Sequence, residues 1–278
     1  MIRLPAVSGR FYPSDPAQLK QQIDSYLDHG NQKSKIRAQA CVVPHAGYKY
    51  SGHVAGAVYS RIEIPSRVIL VGPRHFPRGA SFAILSDGAW KTPLGLAPID
   101  HSLAEKIKRA CPLLREDSVA HESEHSLEVQ LPFLQRLAPS FTFVPIVIGS
   151  SQYADLEALG IAIAQVIGAE PEPILVVASS DMNHYEAEDV TRIKDRKAID
   201  RILALDPRGL FDTVRNEDIS MCGYGAAVAM LTAVRNIGTA HAELVRYATS
   251  GEITGDFQEV VGYAGVTVLL SPSLSKGN

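Results

Sequence analysis

The chain has 278 residues, of which 46% are hydrophobic and 21% charged, with a formal net charge of −3. That is ordinary for a globular protein with a substantial core, and the lack of a basic footprint argues against a nucleic-acid partner. No apolar stretch approaches the roughly 20 residues of a membrane-spanning helix, the first ten residues are too poor in apolar side chains for a signal peptide, and three cysteines make no disulfide framework, so a cytoplasmic protein with reduced thiols is expected.

Ser14-Asp15-Pro16 reads as a helix start, a capping side chain followed by proline in the first turn. The helix is predicted to run through Leu19, Ile23 and Leu27 to about Asp28, with Gly30 ending it and a polar linker reaching Ile36. The first strand then ends in Cys41-Val42-Val43-Pro44-His45. Gly47 to Gly52 is read as a loop before a helix from His53 to Arg61. A second strand, Arg67 to Val71, leads into Gly72-Pro73-Arg74-His75. Residues 80–99 hold short strand-like pieces broken by Asp87-Gly88 and Pro93-Leu94-Gly95, which suggests a hairpin excursion. Helices are predicted at Ser102–Ala110 and His125–Leu137, a strand at Phe141–Ile148 and a helix at Tyr153–Val166. The strand Ile174–Ala178 runs into Ser179-Ser180-Asp181-Met182-Asn183-His184. Helices at Val190–Leu205, Pro207–Val214 and Tyr224–Val234 follow, then strands near Glu243–Ala248 and Val260–Leu270, and a polar tail from Ser271.

Strands alternating with helices predict an α/β fold, a single-domain three-layer α/β/α sandwich over residues 1–278. Its sheet is mostly parallel, made mixed by an antiparallel late pair. Runs of four or five Val, Ile and Leu bounded by Gly, Pro or Ser read as strands buried on both faces. Ligands of such sheets bind just beyond the carboxyl ends of the strands. The pattern thus delivers His45, His75 and His184 to one edge.

Two histidines after neighbouring strands point to a shared metal or anion site, since imidazole is the commonest metal ligand. Cys222 precedes the predicted helix at Tyr224, where unpaired N–H groups favour a thiolate. Cys41 reads as a core residue, and Cys111 has no evident chemical neighbour. Asp181 and His184, three residues apart beyond a strand, suit acid/base work, or Asp181 orients a ligand from behind. His121-Glu122-Ser123-Glu124-His125 matches H-E-x-x-H, but the residues before it lack helical periodicity. His121 is therefore placed ahead of the helix, and a zinc-protease reading is set aside. Glu124, His125 and Glu128 are candidates for lining the site from a helix start. Tyr12, Tyr48 and Tyr185 are candidates for an aromatic wall.

Pro44-His45-Ala46-Gly47-Tyr48, Gly72-Pro73-Arg74-His75, Glu124-His125-Ser126-Leu127-Glu128 with Leu131-Pro132-Phe133, Ser179-Ser180-Asp181 with His184, and Cys222-Gly223 occur in the order that resembles the Memo family. Its bacterial members are also called AmmeMemoRadiSam system protein B. Gly9-Arg10-Phe11-Tyr12-Pro13 and Lys91-Thr92-Pro93-Leu94-Gly95 are similar too, so the likeness covers nearly the whole chain. The resemblance implies a fold like the class III extradiol dioxygenases, with metal-ligand positions on His45, His75 and Cys222. It implies pocket residues at Asp181 and His184, with His125 and Glu124 as further candidates. A cysteine in place of the carboxylate of those dioxygenases departs from their pattern and suits zinc, copper(I) or thiolate-bound iron. Three functions are expected candidates. One is an iron-dependent, or copper-dependent, dioxygenase-like oxidoreductase with His184, Asp181 and His125 as catalytic groups. The others are a zinc hydrolase with the same ligands, and a non-catalytic module for a small-molecule or peptide ligand. The family name further implies functional association with a radical SAM protein.

Overall fold

The structure, a computed structural model, describes residues 1–27 and 35–270. The expected helix end at Asp28 and Gly30 and the tail from Ser271 lie outside the described residues. The chain runs β1 (Ile2–Arg3), α1 (Pro16–Tyr26), β2 (Ala40–Val43), α2 (Tyr48–Arg61), β3 (Arg67–Pro73), β4 (Phe82–Ile84), β5 (Ala89–Thr92), β6 (Gly95–Pro98), α3 (His101–Ala110), β7 (Arg115–Glu116) and α4 (Val119–Glu122). A 3-10 turn (Glu128–Gln130) then leads into α5 (Leu131–Leu137), β8 (Thr142–Ile148), α6 (Tyr153–Ala169), β9 (Ile174–Ser179), β10 (His184–Glu186), α7 (Glu188–Leu203), α8 (Pro207–Asn216), α9 (Tyr224–Ile237), β11 (Ala240–Thr249), α10 (Gly251–Thr254) and β12 (Val260–Leu270).

The main sheet is mixed, as expected. Its centre is the parallel set β2-β9-β3-β8, with β4 antiparallel on β8 and β12 antiparallel on β2. β11 and β12 form the predicted antiparallel pair, and β10 lies against the start of β12. Alternation along the central strands separates two cores, because successive side chains leave opposite faces. Ala40, Val42, Ile69, Val71, Val176 and Ala178 pack with α3, α6, α8 and α9 on one face. Cys41, Val43, Val68, Leu70, Leu175 and Val177 pack with α1, α2 and α5 on the other. This is the three-layer α/β/α arrangement. No helix among the described residues is long and apolar enough to cross a membrane.

Three local expectations need correction. The helix after His45 begins at Tyr48, not His53, with Gly47 in the N-cap position. Tyr48, Ser51, Ala55 and Tyr59 are buried at helical spacing, so the apolar stripe starts five residues earlier than the glycines suggested. Gly52 serves packing rather than a turn, against the Tyr26 ring of α1, and so does Gly56 further along: a Cβ on Gly56 would stand 2.4 Å from the carbonyl oxygen of Tyr26. Within residues 80–99, only β5 and β6 make the hairpin, while β4 joins the main sheet beside β8. The helix predicted over His125–Leu137 is broken: His125 lies in a loop, and the regular helix starts at Leu131. The cause is the Glu124 carboxylate, which takes the N–H groups of His125 and Ser126 at 2.9 Å each.

Gly56→Ala separates packing from propensity. Intrinsic propensity alone would stabilise by about 1 kcal/mol. The backbone clash with α1 is expected to win, destabilising by about 1–3 kcal/mol. Urea midpoints of the two proteins measure the sign, and a higher midpoint for the alanine variant would contradict the close packing.

Candidate metal centre

Because β2, β3 and β9 are parallel, their carboxyl ends open on one edge, and a cleft of about 860 Å³ lies there. His45, His75, His125, Asp181, His184 and Cys222 all line it. One donor atom from each of His45, His75 and His125 can be chosen so that all three lie within 4.8 Å of one another. The His75 and His125 rings stack at 4.4 Å, and the His45 ring meets both edge-on at 5.1 and 5.6 Å.

The hydrogen-bond network decides which nitrogen each ring presents. The Tyr59 hydroxyl donates to Gln130 Oε1 at 2.8 Å, which turns Gln130 Nε2 towards Ser179 Oγ at 2.9 Å. The Ser179 hydroxyl spends its one proton on the Ser126 carbonyl at 2.6 Å. His45 Nδ1, 3.0 Å from Ser179 Oγ, must therefore be the donor in that contact. Its Nε2 therefore carries the lone pair and faces Cys222 Sγ at 3.2 Å. His75 Nδ1 lies 2.8 Å from Glu124 Oε1, which as a carboxylate only accepts, so the same nitrogen is left free there. A histidine ligand whose other N–H is held by a carboxylate or a hydroxyl is oriented and made more basic.

Glu124 also takes the His75 backbone N–H at 2.6 Å. Burial alone would raise this carboxyl, but the hydrogen bonds from His75 and the Ser126 N–H hold it down to about 2. Burial lowers His45 to about 3 and His125 to about 4, with neighbouring imidazoles adding to the shift. Both rings are consequently neutral donors near pH 7. His45 is fixed from its backbone as well: its N–H and that of Ala46 reach Asp181 Oδ1 at 2.7 and 3.3 Å. Burial raises the Asp181 carboxyl.

Cys222 Sγ lies 3.2 Å from His45 Nε2, so the sulfur and that imidazole face each other. It is not a member of the set whose donor atoms all lie within 4.8 Å, which takes His125 as its third residue. Burial, with the Asp181 charge, pushes the Cys222 thiol up despite the nearby helix start, so in the metal-free protein it is an S–H group. His184 donates Nδ1–H to the Ser220 carbonyl at 3.0 Å, and its backbone N–H reaches Ser220 Oγ at 2.8 Å.

Glu128 does not line the cleft. It is buried and receives Arg3, the Tyr12 hydroxyl and the N–H groups of Ala6 and Val7 at 2.6–3.0 Å. Arg3 also donates to the carbonyls of His121 and Glu124 at 2.7 and 2.6 Å, so the start of the chain clamps the segment that carries Glu124 and His125. Of the expected aromatic wall only Tyr185 is present. Tyr12 and Tyr48 point into the core, and Phe11, Tyr50 and Tyr263 line the cleft instead. Alternation along β12 is the one signal that could have found Tyr263.

Comparison with known proteins agrees across the chain. A family model described as Memo-like protein matches residues 3–267. A MEMO1 family protein of Methanopyrus kandleri is 40% identical over 96% of this chain and 98% of its own length. One from Sulfolobus acidocaldarius is 41% identical over 96% and 99%. Among solved structures, an uncharacterized protein of Escherichia coli K12 superposes with a TM-score of 0.55 over 83% of this chain and 99% of its own, at 12% identity. That likeness concerns the fold.

His121 and His125 do not share a helix, because α4 ends at Glu122. His121 is instead wholly buried, edge-on to Trp90 at 5.6 Å, with neither ring nitrogen hydrogen-bonded among the described residues. Burial, with Arg3 nearby, lowers it to about 3. The unfolded chain takes up a proton near pH 6.5 that the folded one refuses, so this residue costs stability as pH falls from about 6.5 towards 3. His121→Phe is expected to flatten the acid-side decline by about one proton, a slope of about 1.4 kcal/mol per pH unit. Denaturation midpoints between pH 4 and 8 measure it, and parallel curves for the two proteins would contradict it.

Proposed function

The chain belongs to the Memo family, and we propose that it binds one transition-metal ion at the cleft and uses it for oxidative chemistry on a small ligand. His45 and His75 are the fixed pair of ligands, and His125 completes the set. Cys222 is near enough to His45 to join or replace the third donor. The observation that carries this reading is the pair of pre-set tautomers: Ser179 and Glu124 hold Nδ1–H on His45 and His75, so each ring presents Nε2 as its lone-pair nitrogen.

The residues present fit such an ion. Neutral imidazoles suit iron, copper and zinc, and a thiol within reach favours the softer or thiolate-binding members of that group. Iron is the first assignment, with copper as the near alternative. Bound iron would supply one-electron redox chemistry with positions left open for ligand and dioxygen. The chain's own residues do the rest. Glu124 and Ser179 orient the imidazoles, and Asp181 fixes the backbone at His45 and Ala46. His184, anchored on Ser220, offers Nε2 for taking or returning a ligand proton.

Three histidines also make the donor set of catalytic zinc sites, where the metal brings its bound water to a pKa near 7. That feature favours a zinc hydrolase as the second reading, with Asp181 or His184 as base. Metal analysis of anaerobically prepared protein, combined with oxygen uptake, distinguishes the two. Wild type is expected to carry about one iron or copper per chain, His45→Ala to lose it, and Glu124→Gln to bind it about 10–100-fold more weakly. Zinc near one per chain with no oxygen uptake would support the hydrolase. Equal metal content in wild type and His45→Ala would overturn the site itself.

A further inference from the structure

The wall of the cleft facing the histidine cluster has a chemistry of its own. Alternation along β12 puts Val261 and Tyr263 on one face, and both line the cleft together with Glu259, the residue just before the strand. His184 of β10 is paired directly with Val261, which makes Tyr263 its diagonal neighbour, within reach of long side chains. The register slips between His184 and Glu186, and the residue in the slip, Tyr185, has φ +60° and an exposed ring at the cleft. A left-handed conformation is costly for a tyrosine, and bulges of this kind re-aim side chains beside binding sites.

Glu259, Tyr263 and His184 each keep a polar atom without a partner among the described residues. Tyr263 is only 2% exposed, and its hydroxyl makes no hydrogen bond within the described residues, which leaves it for a group in the cleft. Glu259 is exposed and forms no ion pair there. His184 gives its Nδ1–H to the Ser220 carbonyl, so Nε2 is the ring nitrogen left for a ligand. No lysine or arginine is among the described residues that line the cleft. The lysine nearby, Lys49, stands 5.5 Å over the Tyr50 ring and is not part of the lining.

We propose that this wall binds the protonated amine of a ligand, with Glu259, Tyr263 and His184 as acceptors and Tyr185 beside it. An ammonium group offers three N–H donors and no acceptor, which matches three oxygen or nitrogen acceptors with no competing cation. The aromatic rings add cation–π attraction and flank an apolar body. A phosphate or carboxylate finds no positive side chain on this wall. The ligand class of the Proposed function thereby narrows to amines with a ring or chain that reaches towards the histidine cluster. The proposal rests on the reading of this cleft as the ligand site, but not on an ion being bound.

The test uses the full chain stripped of metal by a chelator, with binding measured by calorimetry for three probes of similar body: phenethylamine, 2-phenylethanol and 3-phenylpropionate. Phenethylamine is expected to bind at least about tenfold more tightly than the other two. Glu259→Gln, a change at an exposed residue, is expected to erase that preference, and Tyr263→Phe to reduce it. Equal or tighter binding of 3-phenylpropionate, no binding of phenethylamine, or an unchanged preference in Glu259→Gln overturns the proposal. Metal content of the same preparation before chelation is read separately. Amine selectivity in protein that never held metal would leave this inference standing while the metal reading failed.

Discussion

One carboxylate ties the site together. Glu124 accepts the backbone N–H and Nδ1–H of His75 together with the N–H groups of His125 and Ser126, all within 2.9 Å. Four donors on one buried carboxylate keep it ionised, since each favours the charged form. They also join two segments far apart in sequence, the loop after β3 and the loop before α5. Had Glu124 been left unpaired, its burial would carry a heavy desolvation penalty. With its partners in place, it sets the tautomer of one imidazole and the position of the next. Arg3 secures the same loop from behind through the carbonyls of His121 and Glu124 and the carboxylate of Glu128.

Around that carboxylate the sheet does the coarse positioning and the hydrogen bonds the fine positioning. Parallel strands bring His45, His75 and Asp181 to one edge whatever their side-chain contacts. Tyr59, Gln130 and Ser179 then choose the nitrogen that His45 presents. Local burial keeps His45 and His125 neutral, so these two rings need lose no proton to bind a cation. The division matters energetically: a metal ion gains most from ligands that lose little freedom on binding, and these rings are held before it arrives.

Most of this was legible in residue patterns, for reasons that differ by element. His45, His75 and His184 follow apolar runs with sharp breaks, and such runs announce both the strand and its end. Asp15 with Pro16 marked the start of α1, and its side chain does cap Gln18. His125 carried no comparable local signal. Its place depends on contacts made 49 residues away by Glu124 with His75, which no periodicity records. The glycines of α2 misled because a close helix crossing and a turn call for the same residue. Phe11 and Tyr50 line the cleft where Tyr12 and Tyr48 were expected, because the short segment before α1 and the early start of α2 set which neighbour faces inward. β10 has only three residues, too few for an alternating pattern to show.

The account stands on two imidazoles aimed in advance at one ion. X-ray absorption of the protein loaded with one equivalent of zinc measures this most directly. It should show at least two imidazole nitrogens at about 2.0–2.1 Å, with the third donor a nitrogen at that distance or a sulfur at about 2.3 Å, and one imidazole fewer in His75→Ala. A first shell of oxygens alone, or an imidazole count that His75→Ala leaves unchanged, would contradict it.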